Sequence, residues 1–318
     1  MPHDRLDYLL RRPWRDESIA PRVPWVPTMI SNAERSLLYL LARDFAGGDA
    51  AIVDAGCFLG GSTVALLAGV RDRRNPWHGP PVASYDKFRV EAYTIPQFFA
   101  DDPSLRVGQS FRDRFDANVS GFDVPHVVNE GDVMQIGWSG DPIDVLFLDL
   151  VKSWKINDAT LRDFFACLVP GRSVIVQQDY GWGAGPWIHI SMELMSDSVR
   201  LVDGMKAGSH VFFVERELPP DLLRNGVRGL DHDAQLAAMD RALARLDGWA
   251  RAMVELARTA IVADRDGPDA ALRDVAAIAE RYSDPYVDLC LAYVRESLET
   301  DSTSAAVRHA KRVASSPS

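Results

Sequence analysis

Aspartates stand at or just beyond the ends of four apolar runs in this chain, at positions 86, 132, 149 and 179. Ligands of open parallel sheets bind beyond the carboxyl ends of the strands, so these side chains are expected to face one cleft. Asp86 can accept hydrogen bonds from both hydroxyls of a ribose, and Asp132 can accept one from an adenine amino group. Asp149 and Asp179 can hold a divalent cation, or one of them can act as a general base. A helix cap or a turn is the alternative role for Asp86, Asp132 and Asp179.

A glycine turn connects an apolar run to a helix in the segment Asp54-Ala-Gly-Cys-Phe-Leu-Gly-Gly-Ser62. Its glycines let the backbone bend tightly and approach a ligand closely. Ser62 and Thr63 can cap the helix, whose N-terminal amides would face that ligand. The segment therefore predicts a nucleotide-cofactor cradle, and a packing turn between strand and helix is the alternative.

The elements that position these residues alternate between apolar strands and helical stretches. Strands are expected at 51–55, 82–86, 125–129, 143–149 and 173–178, with helices from about 62 and over about 157–168. A capping-box pattern, Ser31-Asn-Ala-Glu34, predicts a further helix before the first strand. Such alternation builds a parallel sheet with helices on both faces.

A hairpin pattern follows this alternation. Runs at 199–202 and 210–215 are separated by Asp203-Gly204 and Ala207-Gly208, which predicts an antiparallel pair. A plain dinucleotide-binding fold continues with parallel strands, whereas the S-adenosylmethionine methyltransferase fold ends in such a hairpin. The fold class predicted is α/β, a Rossmann-like class I methyltransferase fold. Its mostly parallel seven-stranded sheet would end in the hairpin and be followed by an α-helical C-terminal extension.

Three regions are expected along the chain. Residues 1–30 form an N-terminal arm, predicted to be extended because Pro21, Pro24 and Pro27 are closely spaced. Residues 31–220 form the methyltransferase domain, and residues 221–318 form the helical extension, with periodicity over 232–262 and 268–299 and a frayed tail from Ser302. The apolar stripe of the extension is expected to be core or an oligomer interface, so a homo-oligomer is left open.

Composition excludes several classes of partner. Asp and Glu exceed Lys and Arg by 45 to 35, which disfavours nucleic acid, since phosphate binding uses clustered positive charge. Three dispersed cysteines, without a paired motif, suit a reducing cytoplasm. An apolar signal core is absent at the start, and no run approaches the ~20 apolar residues of a membrane span. A cytoplasmic protein acting on a small molecule, with neither a membrane nor nucleic acid as partner, is therefore predicted.

Two motifs carry a family resemblance: Thr28-Met-Ile-Ser-Asn-Ala-Glu-Arg-Ser-Leu-Leu and the glycine turn from Asp54 to Ser62. Residues 28 to about 215 resemble the macrocin O-methyltransferase family, class I enzymes that methylate sugar hydroxyls of antibiotics and glycans. The resemblance implies S-adenosylmethionine as cofactor. Asp86 would hold its ribose and Asp132 its adenine. The other positions implied at the cofactor are Thr28, Met29, Asp54, Gly56, Phe58, Gly60, Gly61 and Ser62.

The same resemblance implies a magnesium site with altered ligands. The family binds Mg²⁺ through an Ile-Asp-Gly-Asp segment and an Asp-Asp-Tyr segment, and Asp149 and Asp179 match one aspartate of each. Gln178 replaces the first aspartate of the second segment and Val151 replaces the later aspartate of the first. Asp149, Gln178 and Asp179 are therefore the implied metal ligands, and the loss of charge implies weaker binding.

We therefore expect an S-adenosylmethionine-dependent O-methyltransferase acting on a hydroxyl of a small molecule or sugar. The candidate proton acceptors are Asp149, Asp179 and His189, the last of which would otherwise be structural. Lys152 is expected either to bind a charged acceptor group or to lie in a solvated loop. One alternative is a catalytically silent, cofactor-binding interaction module, in which the helical C-terminal region recruits a partner. An NAD-dependent oxidoreductase is another, disfavoured because the turn lacks Gly-x-Gly-x-x-Gly.

Two further expectations concern side chains around the cleft. Residues 180–187 are predicted to form a flexible aromatic loop at its edge, able to stack on a sugar ring. His126 begins a strand, where a catalytic or a packing role is open.

Overall fold

A computed structural model of the chain describes residues 2–16, 22–138, 140–206 and 208–299. In it the chain forms two compact units. The first comprises Met1–Phe88, Arg112–Tyr180 and Leu194–Gly229, and the second comprises Arg89–Phe111, Gly181–Glu193 and the chain from Leu230. The tail from Ser302, predicted to be frayed, lies outside the described residues. No helix in the described ranges is long and apolar enough to cross a membrane.

The regular elements are as follows. The strands are β1 Ala51–Ala55, β2 Val82–Asp86, β3 His126–Glu130, β4 Ile143–Leu148, β5 Val174–Gln177, β6 Val199–Gly204 and β7 His210–Val214. The first eight helices are α1 Pro2–Leu10, α2 Asn32–Leu40, α3 Gly61–Arg71, α4 Arg112–Val119, α5 Val133–Ile136, α6 Trp154–Asp163, α7 Pro186–Leu194 and α8 Pro220–Asn225. The last four are α9 His232–Leu243, α10 Gly248–Asp266, α11 Pro268–Arg281 and α12 Pro285–Glu299.

The seven strands form one sheet in the order β3-β2-β1-β4-β5-β7-β6. All neighbouring pairs from β3 to β5 are parallel, whereas β7 is antiparallel to both β5 and β6. This is the Rossmann-like class I methyltransferase fold predicted from the sequence. The chain reverses its direction of travel across the sheet between β1 and β4, and a crevice opens at such a switch point beyond the carboxyl ends of the strands.

The central strands read as uninterrupted apolar runs because both of their faces are covered. Every residue of β1 and β4 is buried, as expected of parallel strands between two helical layers. The core on one face combines side chains of α2, α3 and the strands, including Leu37, Leu38, Val64, Leu67, Val145 and Phe147.

Local signals fix the starts of two helices. The capping box at α2 is confirmed: Ser31 Oγ accepts from the Glu34 backbone N, and the Glu34 carboxylate accepts from the Ser31 backbone N at 2.8 Å. Helix α6 begins at Trp154, before the expected position near 157, because Ser153 caps it by accepting from the Ile156 backbone N at 3.3 Å.

The expectation of an extended arm is wrong for its beginning, where residues 2–10 form α1. Proline is tolerated at the first helical position, and the prolines that suggested extension come after the helix. The contacts that anchor this segment include a hydrogen bond from Arg5 Nη1 to Asp144 Oδ1 on β4 at 3.0 Å and one from Trp14 Nε1 to Asp203 Oδ2 on β6 at 2.8 Å.

The second unit is built mainly from α10, α11 and α12, joined by two stretches from earlier in the chain. Met253, Leu256, Val275, Val287 and Leu291 are buried in its core. Part of the apolar stripe noted in the sequence is therefore core.

The prediction of an irregular aromatic loop over residues 180–187 is wrong for part of that segment. Residues 178–181 form a 3₁₀ turn, and Trp187 lies on α7, which starts at Pro186. Within the second unit Trp182 packs against Tyr293, with ring centroids 5.3 Å apart. In the first unit Tyr180 is buried against His210 and Phe212. Only residues 182–185 lie between the 3₁₀ turn and α7, so the irregular segment is shorter than expected.

Candidate functional site

The turn after β1 touches the turn after β4. The Asp149 backbone N donates to the Ala55 carbonyl at 2.7 Å, which extends the parallel pairing past the ends of the strands. Gly56 has a φ of 103°, and a Cβ placed on it would lie 2.5 Å from the Asp149 carbonyl oxygen. Only glycine fits this approach, because the neighbouring atom belongs to the backbone. Gly56 and Asp149 are therefore brought together at the switch point.

The helix that follows the turn begins beneath Thr28. Gly60 adopts a left-handed conformation with a φ of 94° and caps α3. A Cβ on Gly61 would lie 2.0 Å from Thr28 Oγ1, so Thr28 packs directly on the start of the helix. Met29, next to it, is about half exposed. The family-like segment at Thr28 thus lies against the cradle, although it is far from it in sequence.

Asp54 supports the cradle from inside the protein. It is fully buried, and its carboxylate accepts hydrogen bonds from Ser62 Oγ at 2.9 Å and from Thr63 Oγ1 at 2.5 Å. Burial raises the pKa of Asp54 to about 7, and the two hydroxyl groups limit the rise. Asp54 and Ser62 therefore join the end of β1 to the first turn of α3 and fix the cradle.

A hydroxyl chain continues from this acid across the sheet. Thr63 Oγ1 lies 3.0 Å from Ser84 Oγ on β2, which lies 3.0 Å from His126 Nε2 on β3. Burial, together with the nearby Arg112 charge, lowers the pKa of His126 to about 4. His126 is thus a neutral partner of a buried hydroxyl, which favours the structural of its two expected roles.

Asp86 reaches the same turn from β2. Its carboxylate accepts hydrogen bonds from the Phe58 backbone N at 2.9 Å and from the Phe88 backbone N at 2.7 Å. Both phenylalanines have left-handed backbones, with φ of 46° and 50°, which is uncommon for bulky residues. A carboxylate has about four acceptor sites, which is the chemistry that a ribose hydroxyl needs. Nothing in the sequence pattern marks these two strained positions.

Asp132 lies beyond the next strand. It caps α5 by accepting from the Met134 backbone N at 3.0 Å, and it pairs with Lys87 Nζ at 3.1 Å. These two contacts outweigh a small effect of burial and lower the pKa of Asp132. The Gly131 backbone N donates to the Asp86 carbonyl at 2.9 Å, which holds the two strand ends together. The structure therefore places Asp86 and Asp132 at one edge and adds Lys87, which sequence reasoning missed.

Lys152 lies between the two acids expected to carry chemistry. Its Nζ donates to Asp149 Oδ1 at 3.0 Å and to Asp179 Oδ2 at 2.5 Å. Burial raises the pKa of Asp149 to about 7, with the Lys152 ammonium opposing and the Asp179 charge reinforcing the rise. Partial removal from water disfavours the charged form of Lys152, but the two carboxylates outweigh this effect and raise the pKa of the ammonium. Two carboxylates hold the charged end of Lys152 while its side chain is about half exposed, and a charged acceptor group as its ligand stays a prediction.

The residues present do not fit a divalent cation beside this lysine. Among the described residues, no group of three or more His, Cys, Asp or Glu side chains could hold a metal. Gln178 Oε1 lies 2.5 Å from Ser209 Oγ, so its amide is engaged with the hairpin. A dication about 4 Å from an ammonium is repelled by about 8 kcal/mol at an effective dielectric constant of about 20. The Mg²⁺ expectation therefore has no support in this geometry.

His189 belongs to the second unit. It lies on α7 and is fully buried. Its role as a base stays a prediction.

No protein-family model matches the sequence, and no curated protein matches it. Solved structures with a similar chain course include a calicheamicin methyltransferase, at 19% identity over 57% of this chain and 77% of that chain, with a TM-score of 0.38. A second is the SAH-bound methyltransferase of Podospora anserina, at 16% identity over 67% and 87%, with a TM-score of 0.39. A third is the O-methyltransferase of Bacillus cereus in complex with SAH, at 16% identity over 67% and 91%, with a TM-score of 0.40. These are distant neighbours.

Proposed function

We propose that this protein is an S-adenosylmethionine-dependent O-methyltransferase acting on a hydroxyl of a small molecule or a sugar. The observation that supports it is the convergence at the switch point. The Asp86 carboxylate binds the turn after β1, and the backbone of Asp149 lies against Gly56 in the same turn. A cradle for a nucleoside-containing cofactor and an acidic centre are thereby adjacent.

The cradle suits this cofactor in shape and in polarity. Gly60, with its left-handed backbone, is the N-cap of α3, and the start of α3 presents backbone N–H groups. Asp86 presents a carboxylate at the turn, an acceptor that suits the hydroxyls of a ribose, and Asp132 lies beyond the next strand for an adenine amino group. When bound, S-adenosylmethionine supplies a methyl carbon on a sulfonium, which an acceptor oxygen can attack in line as the carbon–sulfur bond breaks and its electron pair stays on sulfur.

The chain's own residues have two tasks in that reaction. The first is to hold both reactants in line, which the rigid turns after β1 and β4 favour. The second is to accept the hydroxyl proton, and Asp149 is the first candidate. A carboxyl group with a pKa near 7 is partly ionised at neutral pH, and its carboxylate form is basic enough to accept a proton. Asp179, on the other side of Lys152, is the second candidate.

Binding and methyl transfer are tested separately. Calorimetry with S-adenosylmethionine and NAD side by side should show binding of the first alone. Asp86→Asn should weaken S-adenosylmethionine binding by about ten- to a hundredfold, since a hydrogen bond to a charged group contributes roughly 1.5–3 kcal/mol. Asp123→Asn, at an exposed position of the same unit, is the matched control. Tighter binding of NAD than of S-adenosylmethionine would overturn the proposal.

The activity arm uses cofactor labelled on its methyl group and a panel of sugar and small-molecule alcohols. Label recovered in a methyl ether supports O-methyl transfer. If the cofactor binds but no label is transferred to any member of a broad panel, the result favours the catalytically silent interaction module. The helical C-terminal region would then be the part that recruits a partner.

A further inference from the structure

The loop after β4 directs Lys152 back toward the end of its own strand. The Lys152 backbone N donates to the Leu150 carbonyl at 2.8 Å, which closes a three-residue turn. Val151, at the centre of that turn, is only 1% exposed and anchors it in the core. The turn gives Lys152 a fixed starting point beside Asp149.

The ammonium then bridges two strands. Asp149 follows β4 and Asp179 follows β5, and Lys152 Nζ is within hydrogen-bond distance of both. Without a cation between them, two carboxylates this close would repel each other. The Lys152 ammonium between them supplies a positive charge that opposes this repulsion.

The ammonium also retains capacity for a ligand. A lysine has three N–H donors, and within the described ranges its two acidic partners take two of them. The Lys152 side chain is 47% exposed, so the third donor can reach a molecule from solvent. An acceptor oxygen held by that donor would also lie next to Asp149.

We propose that Lys152 takes the place of a divalent cation at this centre, so that the protein works without a metal ion and Lys152 positions the acceptor oxygen. The inference rests on the proposed function only for the acceptor; the exclusion of the metal depends on the contacts of Lys152 with Asp149 and Asp179.

The test reads metal binding directly. Mn²⁺ is titrated into wild type, Lys152→Ala and Lys155→Ala, with free Mn²⁺ followed by electron paramagnetic resonance and unfolding followed by a thermal scan. Lys155 is exposed one turn later on α6 and is the matched control. We expect Lys152→Ala to bind Mn²⁺ at least tenfold more tightly than the other two, and to gain thermal stability from Mn²⁺ that they do not gain. Adding Asp149→Asn to Lys152→Ala should abolish that gain.

Two results would overturn the proposal. One is wild-type protein that binds Mn²⁺ as tightly as Lys152→Ala; the other is Lys152→Ala with no gain in Mn²⁺ affinity although it folds. Once an acceptor is known, turnover of the wild type should be unchanged by EDTA or by added Mg²⁺, and Lys152→Ala should raise the KM for that acceptor. Failure to find methyl transfer leaves the Mn²⁺ result intact, so the two proposals fail separately.

Discussion

Gly56→Ala is the substitution whose cost can be worked most directly from the structure. A left-handed backbone costs a residue with a Cβ roughly 1–2 kcal/mol. The added Cβ would also stand 2.5 Å from the Asp149 carbonyl oxygen, and overpacking against atoms that cannot move aside costs typically about 1–3 kcal/mol. The two effects together predict a loss of about 2–5 kcal/mol in the free energy of unfolding.

Gly48→Ala separates these two effects. Gly48 lies in the same unit with a φ of 93°, but the atom nearest to its added Cβ is the end of the flexible Arg73 side chain, at 3.3 Å. It should therefore lose only the backbone contribution, about 1–2 kcal/mol. Both variants are compared with wild type by urea denaturation followed by far-UV circular dichroism. If Gly56→Ala unfolds at the same urea concentration as Gly48→Ala, the contact between the turns after β1 and β4 is refuted.

Two further predictions concern the acid centre and the cradle. The carboxylate form of Asp149 is the proposed base and its pKa is raised to about 7, so turnover should rise as the pH passes about 7. Lys152→Ala should move that rise to higher pH, because the ammonium favours the ionised form of Asp149. A pH–rate profile that stays flat from 6 to 8 at saturating acceptor would remove Asp149 from proton transfer. Gly61→Ala should weaken cofactor binding at least tenfold, because its methyl group displaces Thr28, and Thr28→Gly in the same chain should recover most of the loss. Calorimetry on the single and double variants measures this, and equal losses in both would refute the contact.

Much of the first unit could be predicted because its signals are local. The apolar runs, the capping box at Ser31 and the glycine turn each describe a short stretch, and every predicted strand is found with ends shifted by at most two residues. The adjacency of the strand-end aspartates also followed from sheet topology alone. The prediction of an extended arm was wrong for residues 2–10, because the closely spaced prolines come after this segment, which forms α1.

The missed features depend on contacts between distant residues. The position of Lys152 requires the burial of Val151 and the presence of Asp179 on the next strand, which no local pattern shows. The carboxylate of Asp86 stabilises the left-handed conformations of Phe58 and Phe88. The sequence predicted that Asp86 binds a ligand, but it did not predict these two backbone contacts. The joining of residues 89–111 to the C-terminal helices is likewise a property of packing.

The anchoring of the N-terminal segment has a consequence for the order of folding during synthesis. Trp14 and its partner Asp203 are 189 residues apart, so Trp14 must wait for the whole intervening chain to be made before that partner leaves the ribosome. Contacts between residues this far apart in sequence carry a large cost of loop closure and form late. The central strands can pair before that, so an interruption of translation before Asp203 would leave Trp14 without its hydrogen-bond partner.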